Sequence, residues 1–392
     1  DAAFKKRLPI SAQFEKSDVK DLEDLPKAAL IDSVWKAELL NSDLFEKMQK
    51  EILDQDYSEV VYKELPTDTL KARLARLNAR TPFNVEYHPI LESVIKSYLK
   101  RNKGSMERLM ALSEYYFPMF EQHMDRLDIP LEIKYLAIVE STLNPRARSH
   151  MGATGLWQFM FATGKMHGLN VSSYVDERMD PIRSTSAAAE YLASLYRTFG
   201  DWDLVLASYN SGPGNVSKAI RRSGGSTNYW DLRQYLPKET AGYVPAFLAT
   251  LYLFEYAEEH NFQPKRPEIA FFETDTLHVR QSLSFDQISE VTGVEKEMLQ
   301  FLNPAYKLDI IPYVKEESYA LRLPRSNVGL FVNNEDKIYD FARKEIVEKE
   351  YFVDDSGMNP RYYQQNAVNR TLEAIAREQH RILLVMATGT GK

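Results

Sequence analysis

One carboxylate stands out by its position. In LEIKYLAIVEST (131–142), Ile133, Leu136 and Ala137 share a helical face, and Glu140 continues that apolar stripe three or four residues beyond the last two. It also falls in the helix's last turn, where the backbone dipole is negative. Loss of water and the dipole both disfavour the charged form, so both raise the pKa. A carboxylic acid still protonated near neutral pH is what a general acid needs to protonate a leaving oxygen such as a glycosidic one. The same spacing also fits a helix-end glutamate that points to water.

The next segment, NPRARSHMGATGLWQFMFATGKMHGL (144–169), holds Gly152, Gly155, Gly164 and Gly168, which implies close backbone approaches. Trp157, Phe159, Met160 and Phe161 sit among them. Aromatic faces can stack on sugar rings, and Gln158 can hydrogen-bond an amide; a buried turn with a hydrophobic plug fits equally. In LASYNSGPGNV, Tyr209 and Asn210 end a helix, where polar side chains either line a cleft or cap the helix. Tyr243, in ETAGYVPAF, lies on a mostly apolar helix and reads on its own as a core tyrosine. The histidines show no metal spacing such as HExxH, so neither metal nor cofactor is expected.

The elements that must hold these residues are helical. Apolar residues recur at helical spacing in HPILESVIKSYLKR and SMERLMALSEYYFPMFEQHMDRL. Helices are predicted over LEIKYLAIVEST, stopped by Asn144-Pro145, over STSAAAEYLASLYRTFG, stopped by Gly200, over DWDLVLASYN, and over ETAGYVPAFLATLYLFEYAEEH. No period-two alternation of any length interrupts 131–260. The fold class is therefore mainly α, with a helical domain over 86–260. Residues 1–85 read as charged, loosely helical and of unknown role. Pro264 and Pro267 mark a linker into a small α+β module at 261–324: a strand in ETDTLHVRQSLSF, helices in FDQISEVTG and EKEMLQFLN, and a closing strand in YALRLP. Residues 325–355 read as a charged linker or partial second module.

Composition narrows the function classes. The chain of 392 residues carries a net charge of −7, and 131–260 is nearly neutral, so a basic nucleic-acid surface is not expected. Cysteine is absent, which excludes disulfides, a thiol nucleophile and Cys-ligated zinc. The start, DAAFKKRLPI, has no signal-peptide core, so the expectation is a cytosolic chain or a mature form whose leader has been removed.

The ordered motifs VESTLNPRARSHMGATGLWQFM, DERMDP, STSAAAEYLASL, LASYNSGPGNV and ETAGYVPAFLA resemble the lytic transglycosylases with a goose-type-lysozyme-like fold. The GLW in place of GLM resembles their membrane-bound D subgroup. The resemblance implies that Glu140 is the single catalytic acid and base, with Ser141 completing its motif. It implies substrate binding by Ser141, Ser149, Gln158, Met160, Tyr209, Asn210 and Tyr243, with a hydrogen bond from Tyr243 near Glu140. It implies peptidoglycan glycan strands as partner, a periplasmic or cell-envelope location of Gram-negative type, and a membrane anchor in a full-length precursor. The reaction implied is non-hydrolytic cleavage between N-acetylmuramic acid and N-acetylglucosamine, giving 1,6-anhydro ends. A non-catalytic peptidoglycan-binding scaffold and a lysozyme-type hydrolase are the alternatives. No second acid is expected beside Glu140 in these motifs; Asp176, Glu177 and Asp180 read as structural. Trp157 is the tryptophan expected near the cleft.

The 270–324 segment resembles a degenerate LysM domain, a glycan-binding family. It lacks the usual GDTL turn at the expected place, having Gln281-Ser282 before Leu283, and binding and purely structural roles both stay open. Residues 356–392 differ in style. ATGTGK resembles the phosphate-binding motif of superfamily-2 helicases, and the preceding RYYQQNAVNRTLEAIAREQHRILLVM resembles the start of a type I restriction enzyme's motor subunit. The Ser/Thr that should follow the lysine is absent from the sequence, so a foreign fragment without ATP binding is expected.

Overall fold

The computed structural model describes residues 62–172, 174–265, 267, 269–313 and 319–339. All of them fall within one compact unit, Ser42–Lys392. The tail at 356–392 and most of 1–85 lie outside the described residues.

The helical domain opens with α1 (Thr67–Asn78), which buries Leu70, Leu74 and Leu77 on one stripe. Then come α2 (Pro89–Arg101), with the His88 ring accepting from the Ile90 amide at its start, and α3 (Lys103–Asp125), which carries Pro118 inside it. A 3-10 turn (Leu131–Tyr135) runs into α4 (Leu136–Ser141). After a long loop come α5 (Phe161–Met166) and α6 (Pro181–Phe199). The Asp180 carboxylate accepts from the Ile182 and Arg183 amides at the start of α6, and Gly200 (φ 65°) ends it. Next are α7 (Trp202–Ser211), α8 (Pro213–Arg222), α9 (Tyr229–Leu232) and α10 (Lys238–Glu255).

Helix α10 is the axis of the domain. Every residue from Thr240 to Leu253 is buried, because α2, α4 and α7 pack around it. A helix that is apolar all round is stable only in such a place. The core does not stop at residue 85: Leu65, Leu70, Leu74, Phe83 and Val85 belong to the same buried cluster as α10. The described part of the region expected to be loose therefore completes the helical domain.

A buried polar cluster fastens α1 to the end of α10. Arg73 donates to the Tyr252 hydroxyl (3.2 Å) and lies 3.2 Å from Nε2 of His260, which also meets the Tyr252 hydroxyl at 3.0 Å. A guanidinium only donates, so Nε2 must accept and the ring is neutral. Burial, then the Arg73 charge, push the His260 pKa down to about 4. The unfolded chain therefore takes up a proton near pH 6.5 that the folded chain refuses until about pH 4. This contribution is intact above pH 6.5 and is lost as pH falls toward 4, by about 3 kcal/mol. Denaturant unfolding at pH 7 and pH 4.5 checks it: His260→Gln should lose less stability between the two than the wild-type chain.

The small module follows. Strand β1 (Thr274–His278) pairs antiparallel with β4 (Ala320–Pro324), Thr276 opposite Arg322, and β2 (Leu283–Ser284) pairs with β3 (Ile310–Ile311). Between them lie α11 (Phe285–Thr292), started by a Ser284–Gln287 capping box, and α12 (Lys296–Leu302). Helix α13 (Arg325–Asn333) closes the module. Phe331, Ile338 and Tyr339 are buried in the core formed by Phe285, Ile288 and Leu323, so 325–339 is part of this module rather than a linker. Among the described residues no helix is long and apolar enough to cross a membrane.

Candidate active site

The helix that carries Glu140 is short and wholly enclosed: all six residues of α4 are buried. It ends earlier than Asn144-Pro145 would require. Thr142 (φ 53°) and Leu143 (φ 57°) both adopt the left-handed conformation, and their amides donate back to Ile138 and Ala137. Two consecutive non-glycine residues there, one of them β-branched, store backbone strain beside the acid.

Glu140 is 8% exposed. Burial raises its pKa to about 8; the Tyr243 hydroxyl, which donates to its Oε1, pulls the other way, and the Glu239 charge adds to the rise. Tyr243 is itself buried on α10, one helical turn after Glu239. Burial, and then the Glu140 charge, push the hydroxyls of Tyr243 and Tyr209 well above the usual tyrosine range, so both remain neutral donors.

Glu239 corrects the expectation of a lone acid. It is the first residue of ETAGYVPAF, it is exposed, and its Oε1 accepts from Asn210 Nδ2 at 3.3 Å. Asn210 in turn accepts from the Thr240 hydroxyl at 2.8 Å, so it ties the end of α7 to the start of α10. The motif contained this carboxylate; its nearness to Glu140 depends on how α10 packs against α4.

Residues 144–160 fold into a tight loop against α4. Ser141 is fully buried, with its hydroxyl 2.9 Å from the carbonyls of Ala137 and Leu156. That placement replaces the expected substrate contact: Ser141 fastens the loop to the helix. Gln158 sits at φ 47°, and its amide nitrogen donates to Ala147 (3.1 Å) and Gly155 (2.9 Å) carbonyls, which holds the turn. The Ser149 hydroxyl accepts from the Ala153 amide at 3.1 Å. Met160 is 44% exposed and Phe161 is 53% exposed.

Trp157 lies beside the site as a buried plug, not as a sugar platform. Its indole is fully buried, packs 5.0 Å from Phe120, and donates to the Thr185 hydroxyl at 2.9 Å. Phe159 is buried beside it. The hydrophobic plug is the right reading for both, and Trp157 serves the site through its backbone, where its carbonyl accepts from the Tyr209 hydroxyl at 2.7 Å. The structure thus brings together Glu140, Tyr243, Tyr209, Asn210 and the 144–160 loop. Among the described residues no group of three or more His, Asp or Glu side chains converges as a metal site would require.

DERMDP is the loop's support. Asp176 and Arg178 form a buried ion pair (2.7 Å), and Arg178 also donates to the carbonyls of Gly152 and Phe159 at 3.2 Å. Glu177 accepts from the Asn170 amide at 2.8 Å. These acids are spent on structure, as their motif suggested.

Parts of the chain are similar to known proteins. Residues 119–231 match the Transglycosylase SLT domain, residues 273–340 match the LysM-like domain of lytic transglycosylase MltD, and residues 357–392 match the res subunit of type III restriction enzymes. Membrane-bound lytic murein transglycosylase D of Escherichia coli K12 is 32% identical over 212 residues, covering 53% of this chain and 46% of that protein. Soluble lytic murein transglycosylase of the same strain is 31% identical over 141 residues, covering 34% of this chain and 22% of that protein. The chain thus spans about half the length of the first of these relatives or less. A type I restriction enzyme EcoAI endonuclease subunit of Escherichia coli is 52% identical over 56 residues, 14% of this chain and 7% of that protein. The 70 kDa soluble lytic transglycosylase of Escherichia coli is similar with a TM-score of 0.34 at 20% identity, covering 60% of this chain and 45% of that one.

Proposed function

We propose that this chain, which carries an SLT domain and an MltD-type LysM-like domain, is a peptidoglycan lytic transglycosylase acting in the periplasm or cell envelope. The observation that carries the reading is Glu140: a buried carboxyl, raised to about 8, with a tyrosine hydroxyl donated to it. A group with that pKa is protonated when the glycan arrives and is still able to take a proton back.

Glu140 protonates the oxygen between N-acetylmuramic acid and N-acetylglucosamine, and the bond to C1 breaks with help from the substrate's own N-acetyl group. The carboxylate left behind is stabilised by the Tyr243 hydroxyl. It then takes the proton of the muramic O6 hydroxyl as that oxygen attacks C1, closing the 1,6-anhydro ring. One acid serves both steps and no water is consumed. Met160, Phe161, Asn210 and the outer edge of the 144–160 loop are the surfaces that meet the strand.

Glu239 favours a second reading. An exposed carboxylate whose charge reaches Glu140 could activate water, as two-acid glycosidases do. Mass spectrometry of muropeptides released from purified sacculi separates the two. The transglycosylase reading expects sugar ends lighter by one water; reducing ends of full mass would support hydrolysis instead.

A further inference from the structure

The two domains share more than a linker. Val175, in the loop between α5 and α6 of the helical domain, is 3% exposed and belongs to the buried core of the small module. On either side of it the backbones are joined: the Asp176 amide donates to the Ala305 carbonyl (2.9 Å), and the Lys307 amide donates to the Tyr174 carbonyl (2.9 Å). The Lys307 ammonium reaches the Ser172 carbonyl at 2.7 Å.

From this joint a continuous set of bonds runs to the candidate acid. Asp176 holds Arg178 through both carboxylate oxygens (3.0 and 2.7 Å). Arg178 holds the Gly152 and Phe159 carbonyls, the two ends of the turn that contains Leu156 and Trp157. The Leu156 carbonyl meets the hydroxyl of Ser141, the residue after Glu140, and the Trp157 carbonyl accepts from Tyr209. Each link is buried or half-buried, and such pairs hold their geometry better than exposed ones.

We infer that the LysM-like module is a built-in brace of the active-site loop, with Val175 as the positioning residue that seats the 152–160 turn beside Glu140. The module would then be required for turnover even when it binds no glycan itself. The activity arm of this inference rests on the function proposed above. The structural arm does not.

The test uses the full chain with Val175→Asp, which places a charge in the module's core, Val175→Ala as the milder variant should the first fail to fold, and Val175→Ile as rescue. Amide hydrogen exchange is followed in two places, the 152–160 turn and the 243–253 stretch of α10. Both disruptive variants that fold should speed exchange across 152–160 at least tenfold and leave 243–253 unchanged, and Val175→Ile should restore protection. On sacculi, kcat should fall about tenfold with KM within twofold. Unchanged exchange across 152–160 would overturn the brace. If the wild-type chain releases no muropeptides, the proposed function fails while the exchange result still decides the brace; if the wild-type chain is active and Val175→Asp keeps full kcat, the brace fails alone.

Discussion

Glu140→Gln is expected to reduce release of anhydro-muropeptides by about a thousandfold or more, because the same group serves as acid and base. The fold should survive, since Gln keeps the shape and an oxygen for the Tyr243 hydroxyl. Stability should in fact improve at high pH. The folded carboxyl titrates near 8, whereas the unfolded one titrates near 4.5. A raised folded pKa means a stabilising term that is complete below pH 4.5 and lost as pH climbs to 8, about 3–5 kcal/mol in all. Gln has no proton to lose. Denaturant unfolding should therefore find Glu140→Gln more stable than wild type at pH 8.5, with the advantage gone near pH 4.5. Equal pH dependence of the two chains would mean that Glu140 is not held in its acid form.

The second large effect belongs to Gly155. Its φ is +92°, and a Cβ built on it would lie 1.8 Å from the Arg178 carbonyl oxygen and 2.7 Å from its carbon. Both are backbone atoms, so relief requires Arg178 to move, and with it the ion pair to Asp176. Gly155→Ala should cost about 3–5 kcal/mol, near the upper end for single substitutions. Gly152 is the control. It has φ +83° in the same loop, but nothing lies within 4 Å of its Cβ position, so Gly152→Ala should cost only about 1 kcal/mol. Urea unfolding of the pair checks the contrast; equal costs would place the effect in φ alone and remove the close approach from the account.

Much of this was legible in the sequence because it is local. The i, i+3 and i, i+4 spacing put Glu140 on the apolar face of its helix, and the structure buries it there. The glycine density of 152–168 pointed to close backbone approaches, and Gly155 makes one. What spacing could not supply was the partner. Tyr243 reads as a core tyrosine on α10, and core it is, yet its hydroxyl is aimed at Glu140 from a hundred residues away. Glu239 was overlooked for the same reason: only the packing of α10 on α4 brings its charge to bear. For Trp157 the sequence leaves two readings open, because an aromatic in a glycine-rich loop suits a sugar platform and a plug alike; the Thr185 hydroxyl and Phe120 decide it. The end of α4 at Thr142 was hidden because neither Thr142 nor Leu143 favours the left-handed region. Val175 carried no signal at all, since an apolar residue in a loop shows its purpose only when a second domain closes over it.

Carbon-13 NMR of glutamate-labelled protein reads the protonation state of Glu140 directly. The carboxyl resonance absent from Glu140→Gln should titrate in the wild-type chain with a midpoint near pH 8. A midpoint at 4 to 5 would leave Glu140 ionised at neutral pH and contradict its role as the acid.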